Sequence, residues 1–147
     1  MKSTWKKGRG KLGVLQPLIG SWAATADTPM GKLKCTREFK FILSDKYVEL
    51  TAIWEFAKGK YIEQAIYGMK DDTLSFWSFT SDGKRSEGSL ADGSDIHADA
   101  ICFEAQMPAG LARMVYWPDE DGGVCWAVES KNKKGWNRFT LHHYKSV

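Results

Sequence analysis

The chain has 147 residues, of which 43% are hydrophobic, 27% charged and 13% aromatic; that is one domain's worth of sequence and too apolar for a disordered chain. No apolar run approaches the ~20 residues that span a bilayer, and no basic start followed by an apolar core of ~7–15 residues marks a secretory signal, so the expected location is cytoplasmic. The net charge of +3 is unevenly placed: Lys2, Lys6, Lys7, Arg9 and Lys11 stand within residues 1–11 without an acid, leaving 16 basic and 18 acidic residues in the rest.

Residues 1–12 therefore read as a flexible basic arm and 13–147 as one domain. Such an arm can attract nucleic acid or anionic lipid. A solvated terminus is the plainer reading, and no nucleic-acid partner is expected. Gly8-Arg9-Gly10-Lys11-Leu12-Gly13 matches G-x-G-x-x-G, but no strand precedes it and no βαβ unit follows, so the dinucleotide reading falls.

Val14–Ile19 offers a single helical turn. After it the dominant signal is period two, in short segments rich in β-branched and aromatic residues separated by turn clusters. Strands are expected near Ser21–Ala26, Leu33–Leu43, Tyr47–Phe56, Tyr61–Met69, Thr73–Thr80, Arg85–Leu90, Ile96–Met107, Leu111–Trp117, Val124–Ser130 and Trp136–Lys145. Ser44-Asp45-Lys46, Lys58-Gly59-Lys60, Ser81-Asp82-Gly83 and Asp121-Gly122-Gly123 suit the hairpin turns between them. Ten short strands joined this way make an up-and-down meander, and closure removes its two exposed edges. The expected fold is all-β: one antiparallel barrel of eight to ten strands, wide enough to hold one small ligand.

Alternation assigns the inward faces. In the second strand Leu33, Cys35, Arg37, Phe39, Phe41 and Leu43 share the apolar face. In the third, Val48, Leu50, Ala52, Trp54 and Phe56 point in; in the ninth, Val124, Trp126 and Val128. Arg37 is the outlier, because an inward charge must be paired or must bind an anion. A ligand carboxylate would suit its fork; an internal Glu or a wet barrel mouth would serve as well. Trp54, Trp126 and Phe39 offer flat apolar contact area or ordinary core.

His142 and His143 are adjacent, so they face opposite sides of the last strand. Either Phe139, Leu141 and His143 point inward, or Arg138, Thr140, His142 and Tyr144 do. An inward histidine could hold a ligand oxygen or haem iron. His97, with Asp95 and Asp99 on one face of the seventh strand, could hold a metal or a proton-transfer pair, though a solvated strand end is the simpler reading. Asp119-Glu120-Asp121-Gly122 hints at a calcium loop but lacks its Gly and its bidentate Glu; no metal site is expected. Cys35, Cys102 and Cys125 are odd in number and far apart, with no C-x-x-C, and read as reduced, buried thiols.

Gly20-Ser21-Trp22, after the apolar turn Leu15-Gln16-Pro17-Leu18-Ile19, resembles the G-x-W signature of the calycin superfamily of lipocalins and fatty-acid-binding proteins. The Ile66-Tyr67-Gly68 and Ser81–Gly88 pieces are similar to bacterial lipocalin-like domains. The resemblance implies a barrel with Trp22 plugging one end and Arg138, on the last strand, packing across it. It departs from the family in lacking both a C-terminal helix and a helical lid after the first strand. The ten-stranded, lidless barrels of nitrobindin-like haem proteins are similar too, which implies a haem ligand at His142 or His143.

The reading is thus a monomer or homodimer that binds a small, largely apolar molecule, with or without a carboxylate, and whether it also catalyses a reaction is left open. Arg37, Phe39, Trp54, Trp126, His142, His143 and Tyr144 are the expected contacts. A haem protein is one alternative, and a small isomerase, cyclase or hydratase another.

Overall fold

A computed structural model of the chain describes residues 5–29 and 31–147. A short 3-10 helix, Gly13–Leu18, precedes ten strands: β1 (Gly20–Thr28), β2 (Gly31–Ile42), β3 (Tyr47–Phe56), β4 (Gly59–Lys70), β5 (Thr73–Thr80), β6 (Arg85–Ala91), β7 (Ile101–Met107), β8 (Gly110–Pro118), β9 (Val124–Asn132) and β10 (Gly135–Ser146). Each pairs antiparallel with its neighbour in sequence, and β1 closes onto β10 through Trp22↔Ser146 and Ala23↔Lys145. Closure through β1 and β10 rests on those two positions near the 3-10 helix, and farther along the two strands residues 26–28 and 139–142 line a common hollow. Among the described residues no helix is long and apolar enough to cross a membrane.

The meander puts the 3-10 helix and residues 43–46, 71–72, 92–100 and 119–123 at one end. Leu15 and Leu18 are fully buried there, and the Trp22 indole N–H donates to the Leu18 carbonyl at 2.8 Å. Above this closed end the lumen is packed with Phe39, Val48, Leu50, Tyr67, Phe76 and Phe103. The other end, ringed by the remaining hairpins, is less filled. Of the arm expected over residues 1–12, residues 1–4 lie outside the described residues. The Trp5 indole N–H donates to Asp99 O at 3.1 Å, Gly8 N donates to Gly13 O at 2.8 Å, and Leu12 is buried.

Two departures from the expected strands bear on the site. Residues 96–100 are not part of β7. Ile96 N and His97 N both donate to Gly93 O, and Ala100 N to His97 O, so this backbone satisfies itself in turns. In β10 the register against β9 shifts between Arg138 and Thr140. That bulge re-aims the side chains before it. Thr140, His142 and Tyr144 point into the barrel, whereas Arg138 points out, a mixture of the two phasings that strict alternation allows.

Gly88 shows how tightly the middle of the barrel is built. It pairs with Phe76, and a Cβ there would lie 2.1 Å from the Glu104 carbonyl oxygen and 2.6 Å from the Phe76 ring. The ring can turn but the backbone carbonyl cannot. Gly88→Ala is expected to destabilise by about 3 kcal/mol, the upper end for overpacking. At about 2–4 °C per kcal/mol for a chain of this size, thermal unfolding should fall by about 6–12 °C. An unchanged melting temperature would show that the sheet yields there at no cost.

Candidate functional site

Arg37 lies at mid-height on β2, with its side chain across the lumen and its residue only 2% exposed. Its Nη2 donates to the Tyr116 hydroxyl on β8 at 2.8 Å and lies 3.9 Å from Glu63 Oε1 on β4. Nε and Nη1 are buried and make no hydrogen bond. Four rings surround the guanidinium: Trp126 at 4.6 Å, Tyr116 at 5.6 Å, Trp54 at 5.7 Å and Tyr144 at 6.0 Å. A charge taken out of water costs several kcal/mol. The aromatic faces and Glu63 offset part of that. Burial works against the charged form, yet the Tyr116, Tyr144 and Glu63 oxygens outweigh it and raise the pKa above the ordinary arginine value. The guanidinium is therefore a permanent cation with two uncommitted donors.

Its surroundings are polar but neutral around one acid. Ser78 Oγ donates to Glu63 Oε2 at 2.5 Å, which holds one carboxylate oxygen away from Arg37. Burial raises the pKa of Tyr67, Tyr116 and Tyr144, the last to beyond the usual tyrosine range, so all three keep their protons. The Trp126 indole N–H is a third buried donor without a partner. His142 packs on Trp126 with ring centroids 5.2 Å apart, and its Nδ1 faces the Tyr144 hydroxyl at 3.4 Å. Burial first, then the charges of Arg37 and His143, lower its pKa, which leaves a neutral imidazole at pH 7.

Two cavities lie at the open end; they touch Trp54, Trp126, His142 and Glu63 of this group, while Arg37 itself lines neither. One, of about 500 Å³, is walled by Trp54, Phe56, Tyr61, Trp126, Leu141 and His142. The other, of about 440 Å³, is walled by Phe76, Phe103, Met107 and Met114 and touches Glu63. Phe139, at the β10 bulge and 62% exposed, borders both. Phe56, Met107 and Leu141 are also exposed around them, so the mouth is rimmed by apolar side chains.

Of the residues singled out from sequence, Arg37, Trp54, Trp126, His142 and Tyr144 come together in this lumen. Phe39 lies against Tyr116 at 5.7 Å, in the packed half below Arg37, and lines neither cavity. His143 is corrected: it faces outward, because strand alternation allows only one of two adjacent histidines inside, and its Nδ1 lies 2.9 Å from Asp119 Oδ2. Arg138 is corrected as well. It does not cross Trp22, whose partner on β10 is Ser146; the bulge turns it outward over the Trp117 ring at 5.1 Å, where its Nε donates to Glu129 at 2.8 Å. The shared strand face for His97, Asp95 and Asp99 does not exist. His97 Nδ1 accepts from Asp99 N, while Asp95 pairs with Arg113.

Sequence reasoning missed Glu63 and Tyr116 as named residues. Alternation in β4 (Tyr61, Glu63, Ala65, Tyr67) carries the signal for Glu63. The same reading of Ala112, Met114 and Tyr116 in β8 would have found the hydroxyl that meets Arg37. All three cysteines are buried and free of disulfides, and burial pushes each thiol up to about 11.

These features define a closed ten-stranded antiparallel up-and-down β-barrel, compatible with a calycin-like fold, with a buried arginine in its lumen. No protein-family model matches the chain, and no curated protein matches it in sequence.

Proposed function

We propose that the barrel binds a small, largely apolar molecule with an anionic end, tail in the mouth and anion against Arg37. The observation that carries this reading is the pair of uncommitted N–H groups on a fully buried guanidinium. Buried donors are nearly always satisfied, and each orphan costs about 1–3 kcal/mol. Nε–H and Nη1 lie on opposite sides of the guanidinium, so a carboxylate would take up one of them in a charge-assisted hydrogen bond. Trp54 and Trp126 flank the path to it, and the apolar rim suits the tail.

Trp54 and Trp126 also supply the readout. Titrating the protein with a long-chain fatty carboxylate should quench tryptophan fluorescence. The matching alcohol should bind at least ~10-fold more weakly, since one charged hydrogen bond is worth about 1.5–3 kcal/mol. Equal affinity for acid and alcohol would remove the anion anchor. The haem alternative rests on the neutral His142 imidazole beside the larger cavity. A Soret absorbance in the purified protein that vanishes in His142→Ala would replace the present reading with that one.

A further inference from the structure

A second group of chemically active side chains lies outside the barrel, at its closed end, and takes no part in the lumen. Cys125 on β9 and His143 on β10 are direct cross-strand partners, and they share the outer face. Asp119 reaches them from the β8–β9 turn. The Cys125 Sγ, a His143 ring nitrogen and an Asp119 carboxylate oxygen lie within 4.8 Å of one another. Nδ1 of His143 is 2.9 Å from Asp119 Oδ2 and 3.5 Å from Cys125 Sγ.

Two chemistries use Cys, His and Asp, and the geometry separates them. A nucleophilic triad needs the thiol and the carboxylate on opposite nitrogens of the imidazole, so that the acid orients one while the other takes the proton. Here both approach the same nitrogen. Three different donors converging on one point is the arrangement of metal ligands. A tetrahedral ion with bonds of about 2.0–2.3 Å spaces its donors about 3.3–3.8 Å apart; here the His143 nitrogen lies 2.9 Å from Asp119 and 3.5 Å from Cys125, so small shifts would seat an ion. We propose that Asp119, Cys125 and His143 form a site for a zinc-class divalent cation. A thiolate and an imidazole select such an ion over calcium or magnesium, which prefer all-oxygen shells.

The surroundings hold the donors in place. Asp119 Oδ1 accepts from Asp121 N at 3.2 Å, which leaves Oδ2 for the ion. The turn closes through Gly122 N donating to Asp119 O at 3.0 Å, and Lys145 Nζ donates to the carbonyls of Asp121 and Gly122. Cys125 is buried, the Asp119 side chain is 9% exposed, and His143 is open to solvent. Three protein ligands leave a fourth position, and Asp119 also lines a hollow of about 720 Å³ bounded by Trp5, Trp22, His97 and Lys145. Water, or the end of a ligand in that hollow, would complete the shell, as in open zinc sites.

Cobalt reports on this directly. Co²⁺ added to the metal-free full chain should bind at one equivalent, with visible d–d bands and a thiolate-to-cobalt band in the near ultraviolet. Zn²⁺ should displace it and raise the melting temperature by mass action. Cys125→Ser should abolish the thiolate band, and both it and His143→Gln should weaken binding at least ~10-fold. His143 is exposed, so His143→Gln remains informative should Cys125→Ser fail to fold. No stoichiometric uptake, no thiolate band, or binding unaltered by His143→Gln would each overturn the site.

Discussion

Arg37→Met is expected to weaken binding of a long-chain carboxylate about 10- to 100-fold and leave the barrel folded. The ligand loses one charge-assisted hydrogen bond, worth about 1.5–3 kcal/mol. At 1.4 kcal/mol per decade that is about one to two orders of magnitude in Kd. The alcohol analogue should lose far less, because it never used the charge. Stability should move the other way or hardly at all. Methionine is close in length, it fills the space between Trp54, Trp126 and Tyr116, and it brings no orphaned N–H. Replacing a buried ionic group by a hydrophobe of similar volume is often neutral or stabilising. The groups left behind are the Tyr116 hydroxyl, which loses the Arg37 donor, and Glu63, whose Oε2 keeps its hydrogen bond from Ser78. The double variant Arg37→Met/Glu63→Gln removes that charge also, and it separates loss of the anchor from the cost of an unpaired acid. Isothermal titration of both variants, with melting curves, decides the matter. Carboxylate affinity that survives in the folded double variant would mean the anion sits elsewhere.

That contrast follows from where the arginine is built. The lower half of the lumen is solid with aromatic and aliphatic side chains, and the upper half is open. Arg37 stands below the two mouth cavities and lines neither, so on the proposed reading a ligand reaches the cation past Trp54 and Trp126. A permanent charge at that depth selects for a ligand charge and not for a shape, while the rings around it provide apolar contact.

Much of this was legible in the sequence, and the failures have physical causes. Period-two alternation located ten strands and put Arg37, Trp54 and Trp126 inside, because one buried face pins register along a strand. It misplaced 96–100, where Asp95-Ile96-His97-Ala98-Asp99 alternates like a strand. Those residues instead fold into local turns, and Asp95 is drawn onto Arg113. It left the last strand open between two phasings because a single inserted residue at the bulge reverses the face, and nothing local in Arg138-Phe139-Thr140 announces it. The Asp119, Cys125 and His143 group was invisible for another reason. Its members sit on three successive pieces of chain, and only the β9–β10 register brings them together.

The same register builds the group expected to matter most for stability. Glu129 on β9 is 4% exposed and lies on the outer face. Its Oε1 accepts from Arg113 Nε at 2.9 Å and lies 2.7 Å from Arg113 Nη2; its Oε2 accepts from Arg138 Nε at 2.8 Å. Arg113 in turn forks onto Asp95 at 3.0 and 2.7 Å and stacks over Trp136 at 4.2 Å. One carboxylate thus ties β8, β9 and β10 together, and through Arg113 it holds residues 92–100 against the barrel. Glu129→Ala strips the buried Nε of Arg113 of its acceptor and leaves two cations side by side. Removing one partner of a buried pair costs about 3–5 kcal/mol; Asp95 still satisfies the other two nitrogens of Arg113, which places the loss near 3 kcal/mol. Thermal unfolding should fall by about 6–12 °C. Asp95→Ala touches the same arginine, but its side chain is 55% exposed, so water replaces it and the loss should stay below about 1 kcal/mol. Urea unfolding of the two variants side by side reads the difference. Equal losses would mean that Arg113 is held by its fork onto Asp95, and that Glu129 is a bystander between two arginines.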